Sequence, residues 1–100
     1  MSKFPKHKKP RKKPIRISKI IRQAVINRDG GMCRLCHKPA TQIHHIMTKA
    51  HSGNDTSMNL ICVCSSCHRT IHRNEKKWFK ILFNMQKEHY KDLTIEKMKK

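Results

Sequence analysis

Two cysteine pairs, Cys33-x-x-Cys36 and Cys64-x-x-Cys67, constrain this 100-residue chain more than any other feature. Thiolate pairs of that spacing, a few tens of residues apart, are the usual frame of a tetrahedral four-cysteine zinc. A chain this short has a small core and ordinarily needs such a staple. In zinc-finger peptides an apparent binding energy of roughly 10–16 kcal/mol appears as folding energy, so metal removal is expected to unfold the domain. The fifth cysteine, Cys62, sits in an apolar stretch and reads as a small buried hydrophobe.

Charge narrows the choice of partner. The chain carries 24 Lys+Arg against 6 Asp+Glu, a net charge of +18 with a pI near 10.3. Neutralising phosphates releases condensed counterions, so nucleic acid is the expected partner; self-repulsion makes a partnerless surface of this charge a poor alternative. The first residues are basic but no apolar core follows them, and no run of about 18 apolar residues occurs. With metal-ligating thiols that must stay reduced, the expectation is an intracellular, cytoplasmic protein with no membrane segment.

Along the chain, residues 1–16 hold Lys3, Lys6, Lys8, Lys9, Arg11, Lys12, Lys13 and Arg16, broken by Pro5, Pro10 and Pro14. This reads as a disordered basic arm that contacts phosphates. Ile17, Ile20, Ile21, Ala24 and Val25 then recur at helical spacing and Gly30-Gly31 follow, predicting a helix over 18–29. Its apolar stripe is expected in the core, with Lys19, Arg22 and Arg28 turned toward nucleic acid. After the first knuckle and Pro39, strands are expected at 42–46 and 58–63, joined by a polar loop over 47–57 with Gly53-Asn54-Asp55 as turn residues. The second knuckle leads to a short helix over 68–73. Asn74-Glu75 forms a cap for a second helix running to about 91, whose Trp78, Phe79, Leu82 and Phe83 are expected in the core. Residues 92–100 read as a basic tail or a short helix.

Four histidines stand out against this frame. His44 and His45 are adjacent on the first strand, and His68 and His72 are four apart, so on a helix they share a face and can share a metal. Neighbours on a regular strand point to opposite faces. His44 and His45 therefore enter one site only if the strand twists, bulges or ends there. His37 reads as a non-ligand beside Cys36, and His51 as an exposed loop residue.

The run His44-His45-Ile46, Asn59-Leu60, Cys64-x-x-Cys67-His68 and His72, with Cys33-x-x-Cys36 upstream, resembles the HNH (His-Asn-His) endonuclease family over about residues 28–73. The resemblance implies an α+β fold, a small zinc-stabilised ββα-metal (treble-clef-like) domain over 17–91 with flanking N- and C-terminal helices. By resemblance His45 is the general base, Asn59 pins the loop between the strands, and His44, His68 and His72 hold a catalytic divalent ion. Cys33, Cys36, Cys64 and Cys67 hold structural zinc. Three histidines without a carboxylate suit Mn2+, Ni2+ or Zn2+ better than Mg2+. The expected substrate is DNA cut with little sequence preference, nicked by one unit or broken across both strands by a homodimer. A phage setting beside a terminase, in genome packaging, is implied by the resemblance alone.

Two other readings use the same residues. A non-catalytic zinc-ribbon module would bind nucleic acid without cutting it. Cys33–His37 and Cys64–His68 also match the Cys-x-x-Cys-His haem pattern, although a dihaem cytochrome would require export.

Overall fold

A two-stranded antiparallel hairpin, β1 (Gln42–His45) and β2 (Leu60–Val63), positions everything else in the chain. The computed structural model describes residues 17–100, so the basic arm and its Lys8, Lys9, Arg11, Lys12, Lys13 and Arg16 lie outside the described residues. Four helices accompany the hairpin: α1 (Lys19–Asp29), α2 (Ser65–Arg73), α3 (Glu75–Gln86) and α4 (Ile95–Met98). Two 3-10 turns, Lys49–His51 and Ser57–Asn59, shape the loop between the strands. This is the small α+β, ββα-metal arrangement implied by the resemblance. No helix among the described residues is long and apolar enough to cross a membrane.

All four residues of β2 are buried because the strand is covered on both faces. Leu60 and Cys62 pack with Val25 of α1 on one side. Ile61 and Val63 join Ile71, Leu82, Leu93, Met98 and Cys33 on the other. This is strand alternation with two cores instead of one. Cys62 is a buried hydrophobe, as expected, and burial pushes its thiol up to about 11.

The helix limits follow local chemistry. Ser18 caps α1 by accepting from the Ile21 amide, and Gly30, at φ 66°, ends it in the left-handed conformation that glycine adopts without penalty. Asn74 closes α2 and also accepts from Lys77 N–H to start α3. The second helix begins at Ser65, inside the knuckle, because Cys64 is its N-cap. That is three residues earlier than the sequence predicts, and α3 ends at Gln86 instead of about 91.

Two further expectations are corrected and a third is narrowed. The stripe on α1 is only partly core, since Val25 is buried while Ile20 is 82% exposed. Of the two readings of residues 92–100, the basic tail is set aside and the short helix is the one seen, as α4. Leu93 and Met98 are buried, and Gly53 bridges Lys99. Arg28, expected at the nucleic-acid face, is turned inward. Its guanidinium grips Asp29 at 2.8 and 2.9 Å and donates to the carbonyls of Ser57 and Leu60 at 2.8 and 2.7 Å. Asp29 also accepts from Arg34 and from the Cys62 amide. Although burial raises it, these donors hold the Asp29 carboxyl below its ordinary value. The network ties α1 to β2 and leaves Arg28 no free donor face for phosphate. Arg22 remains exposed, as expected.

Candidate metal centre

The four expected sulfurs converge. The ligand atoms of Cys33, Cys36, Cys64 and Cys67 all lie within 4.8 Å of one another, with Cys36 Sγ and Cys64 Sγ 3.6 Å apart. Sulfurs on a tetrahedron around zinc, each about 2.3 Å from the ion, are separated by about 3.8 Å. The donor set and its spacing therefore fit zinc. Cys33 N–H donates to Lys38 O and His37 N–H to Cys33 O, with His37 in the left-handed region at φ 66°, which closes the first knuckle into a tight turn. Arg34 N–H donates to Cys62 O and so docks that knuckle on β2.

The thiols are in conflict without a cation between them. Although burial raises it, amides of Cys36, Cys64 and Leu35 aimed at the sulfur hold Cys33 down at about 6. Burial, then hydrogen bonds to the neighbouring sulfurs, push Cys67 up to about 12. One thiolate opposes the next, and a divalent ion removes that opposition.

His44, His68 and His72 form the second convergence. Their ring nitrogens lie within 4.8 Å of one another. Ring centroids are 5.1 Å apart for His44–His68, 5.4 Å for His44–His72 and 4.7 Å for His68–His72. Strand parity explains His44. It pairs with Ile61, so it faces α2 together with Gln42, two residues earlier. Helix periodicity explains the other two, which stack one turn apart on α2.

The outer nitrogens are already engaged. His72 Nδ1 donates to Glu75 Oε2 at 2.6 Å, and His68 Nδ1 donates to Gln42 Oε1. With the rings neutral, that arrangement leaves a lone pair on each Nε2, and the two atoms face each other 3.1 Å apart. Two nitrogens bound to one ion at about 2.0–2.1 Å with near-tetrahedral angles lie about 3.3 Å apart. A shared cation satisfies both lone pairs, and carboxylate or amide partners on Nδ1 are what hold such ligands in place. Burial, then the neighbouring histidines, lower His44 to about 3. It is therefore neutral and able to ligate at any ordinary pH.

His45 stands outside this trio. By parity it leaves β1 on the opposite side from His44, and its Nε2 meets Asp55 Oδ1 at 2.7 Å. The strand ends at His45, as the sequence requires if both rings serve one site, and His45 is close enough to contribute to the lowering of His44. Asn59 is fully buried. Its Oδ1 accepts from Met47 N–H at 2.7 Å, and its Nδ2 donates to Met47 O and Asn54 O at 2.9 Å each. Gly53 lies against the same place: a Cβ there would sit 1.7 Å from Met47 O, so only glycine lets the loop close.

A cleft of about 430 Å3 opens over the trio, lined by Gln42, Ser65, His68, Arg69, His72 and Arg73. Arg69 and Arg73 place a cationic wall beside the histidines. Sequence reasoning passed over both arginines and Gln42, and treated Asp55 only as a turn residue and Glu75 only as a first-turn carboxylate. Gln42 was accessible through the two-residue strand period and Glu75 through its i,i+3 spacing from His72. Asp55 carries no periodic signal.

Residues 33–74 match the family model described as HNH endonuclease. A type IV methyl-directed restriction enzyme, EcoKMcrA of Escherichia coli (strain K12), is 25% identical over 76 residues, which cover 64% of this chain and 27% of that enzyme. A mitochondrial DNA mismatch repair protein, a mutS homolog of Sarcophyton glaucum, is 41% identical over 49 residues, which cover 43% of this chain and 5% of that protein. The chain thus spans about a quarter of one relative and about a twentieth of the other.

Proposed function

We propose that this chain, whose residues 33–74 form an HNH endonuclease domain, is a divalent-metal-dependent nuclease that hydrolyses phosphodiester bonds of DNA. The observation that carries this reading is the pair of opposed Nε2 lone pairs of His68 and His72, closed on the third side by His44. Four cysteines and a basic surface would serve a binding module equally well. Three converging imidazoles, two of them lining a cationic cleft, are not needed for binding alone.

His44, His68 and His72 would hold a divalent cation, which would supply Lewis-acid stabilisation of the phosphoryl and leaving oxygens. Three imidazoles favour a transition metal over magnesium. His45 takes a proton from water as the water oxygen bonds to phosphorus, the bond to the leaving oxygen breaks, and that oxygen is protonated from solvent. Asn59 keeps the loop after His45 in register, and Arg69 and Arg73 hold the flanking phosphates by charge-assisted hydrogen bonds. The restriction and mismatch-repair roles named for the two relatives, with the net charge of +18, support DNA as substrate. The basic arm and Arg22 add contacts to the backbone independent of base sequence. One such unit nicks, and two acting together break both strands.

Incubation of the zinc-loaded protein with supercoiled plasmid and a series of Mg2+, Mn2+, Ni2+ and Zn2+ tests the proposal. Nicked or linear product is expected with at least one ion, and its rate is expected to fall by about 10²-fold or more in His45→Ala. Retarded but intact plasmid with every ion would establish the binding module instead.

A further inference from the structure

We propose that Asp55 is the positioning residue for His45: its carboxylate accepts the Nε2 proton and leaves the Nδ1 lone pair as the proton acceptor. The inference rests on the reading of His45 as the base and goes beyond it, because neither the sequence pattern nor the family match assigns Asp55 a role.

The contact is specific. His45 Nε2 and Asp55 Oδ1 are 2.7 Å apart, and Lys49 Nζ lies 2.9 Å from the same oxygen. An ionised carboxylate has no proton to give, so the proton between the two groups belongs to the imidazole. That assigns the Nε2–H tautomer to neutral His45, with the lone pair on Nδ1. Burial raises the Asp55 carboxyl, but hydrogen bonds from His45 and Lys49 hold it below its ordinary value. The acceptor is therefore ionised at neutral pH.

The loop that carries Asp55 is fixed more firmly than a surface ion pair requires. Next to it, Asn54 Nδ2 donates to the carbonyls of Lys97 and Lys99 at 2.9 Å each, and Asn54 N–H donates to Met98 O. Asn54 O accepts from Asn59, and Asn54 Oδ1 accepts from the Thr56 amide and hydroxyl. One side of the dyad is thus anchored to the C-terminal turn. The other is anchored through Met47 to the same Asn59 amide. A buried asparagine therefore sets the distance between the base and the residue that orients it. Orientation of this kind is what a base needs from its partner when it must present one nitrogen to water.

Asp55→Ala, Asp55→Asn, His45→Ala and the double variant His45→Ala/Asp55→Ala separate the possibilities. In Asp55→Ala, kcat is expected to fall on the order of 10²-fold with KM and zinc content unchanged. Asp55→Asn, which keeps an acceptor oxygen, is expected to recover part of the loss. In the His45→Ala background the Asp55 change should add nothing. Full activity of Asp55→Ala beside an inactive His45→Ala would overturn the Asp55 role alone, as would a further loss in the double variant. Full activity of His45→Ala would overturn the base reading and this inference with it. Independently of cleavage, imidazole 15N shifts are expected to report the Nε2–H tautomer at His45, giving way to a mixture in Asp55→Ala; an unchanged tautomer would overturn the proposal.

Discussion

His68 and His72 turn their Nε2 atoms toward each other at 3.1 Å while Gln42 and Glu75 occupy their Nδ1 atoms. Neutral imidazoles with both Nδ1 protons committed cannot hydrogen-bond to each other through Nε2. A shared cation satisfies both lone pairs at once.

Glu75 should therefore matter for metal and little for folding. It sits at the exposed start of α3, with its carboxylate on His72. Glu75→Gln is expected to weaken divalent-ion binding at the histidine site by about 10–100-fold, measured by titration calorimetry on protein with zinc already in the cysteine site. The unfolding midpoint should move little, because exposed charge contacts are worth at most about 1 kcal/mol.

Chelation should act on the other ion and on the whole fold. Cys33 is completely buried and belongs to the larger core with Ile71 and Leu82, so the sulfur cluster and the core form together. Stripping zinc with a strong chelator is expected to abolish the helical circular dichroism signal, and readdition to restore it. Retention of the signal in the metal-free chain would contradict the view that the roughly 10–16 kcal/mol of zinc binding is folding energy.

Arg28 is a structural residue and its variants should behave accordingly. Arg28→Ala leaves Asp29, whose side chain is 0% exposed, without its bidentate partner. The expected cost is about 3–5 kcal/mol, read as a fall in the urea midpoint. The salt dependence of DNA affinity should keep its slope, since no phosphate contact is lost. Arg22→Ala should do the reverse, lowering that slope by about one contact's worth while leaving stability unchanged.

The pH dependence follows from His44. Its folded value of about 3 lies below the ordinary 6.5, so between those values the unfolded chain binds a proton that the folded chain does not. Stability is then full above about 6.5 and falls as pH falls toward 3, by up to about 1.4 kcal/mol per pH unit. A cation on the three histidines acts in the same direction. Urea midpoints at pH 7.5, 6 and 5 for zinc-saturated protein should drop more steeply in the wild type than in His44→Gln.

What the sequence revealed and what it hid divide along physical lines. The two cysteine knuckles, the Ser18 and Gly30 caps of α1 and the Asn74 cap were legible because each depends on residues within a few positions of one another. The three-histidine convergence was legible too, His68 and His72 through their helical spacing and His44 through the family resemblance. Arg28 was misread because helical spacing shows that a charge lies off the apolar stripe, not that Tyr90, 62 residues away, waits to cover it. Ile20 shows the converse, an apolar residue with helical spacing that nothing among the described residues covers. The docking of residues 92–100 depends on Asn54 accepting a turn that folds back from 43 to 45 residues downstream. No local pattern records that contact.

Cys67 and His68 are consecutive residues at the start of one nine-residue helix, so the two ion sites share a single rigid ruler. Adding one residue between them would swing the imidazoles about 100° around the helix axis and advance them about 1.5 Å, away from His44. The offset between the cysteine cluster and the histidine cluster is thus set by the helical repeat. The span from Cys64 to His72 therefore has no tolerance for a single insertion or deletion.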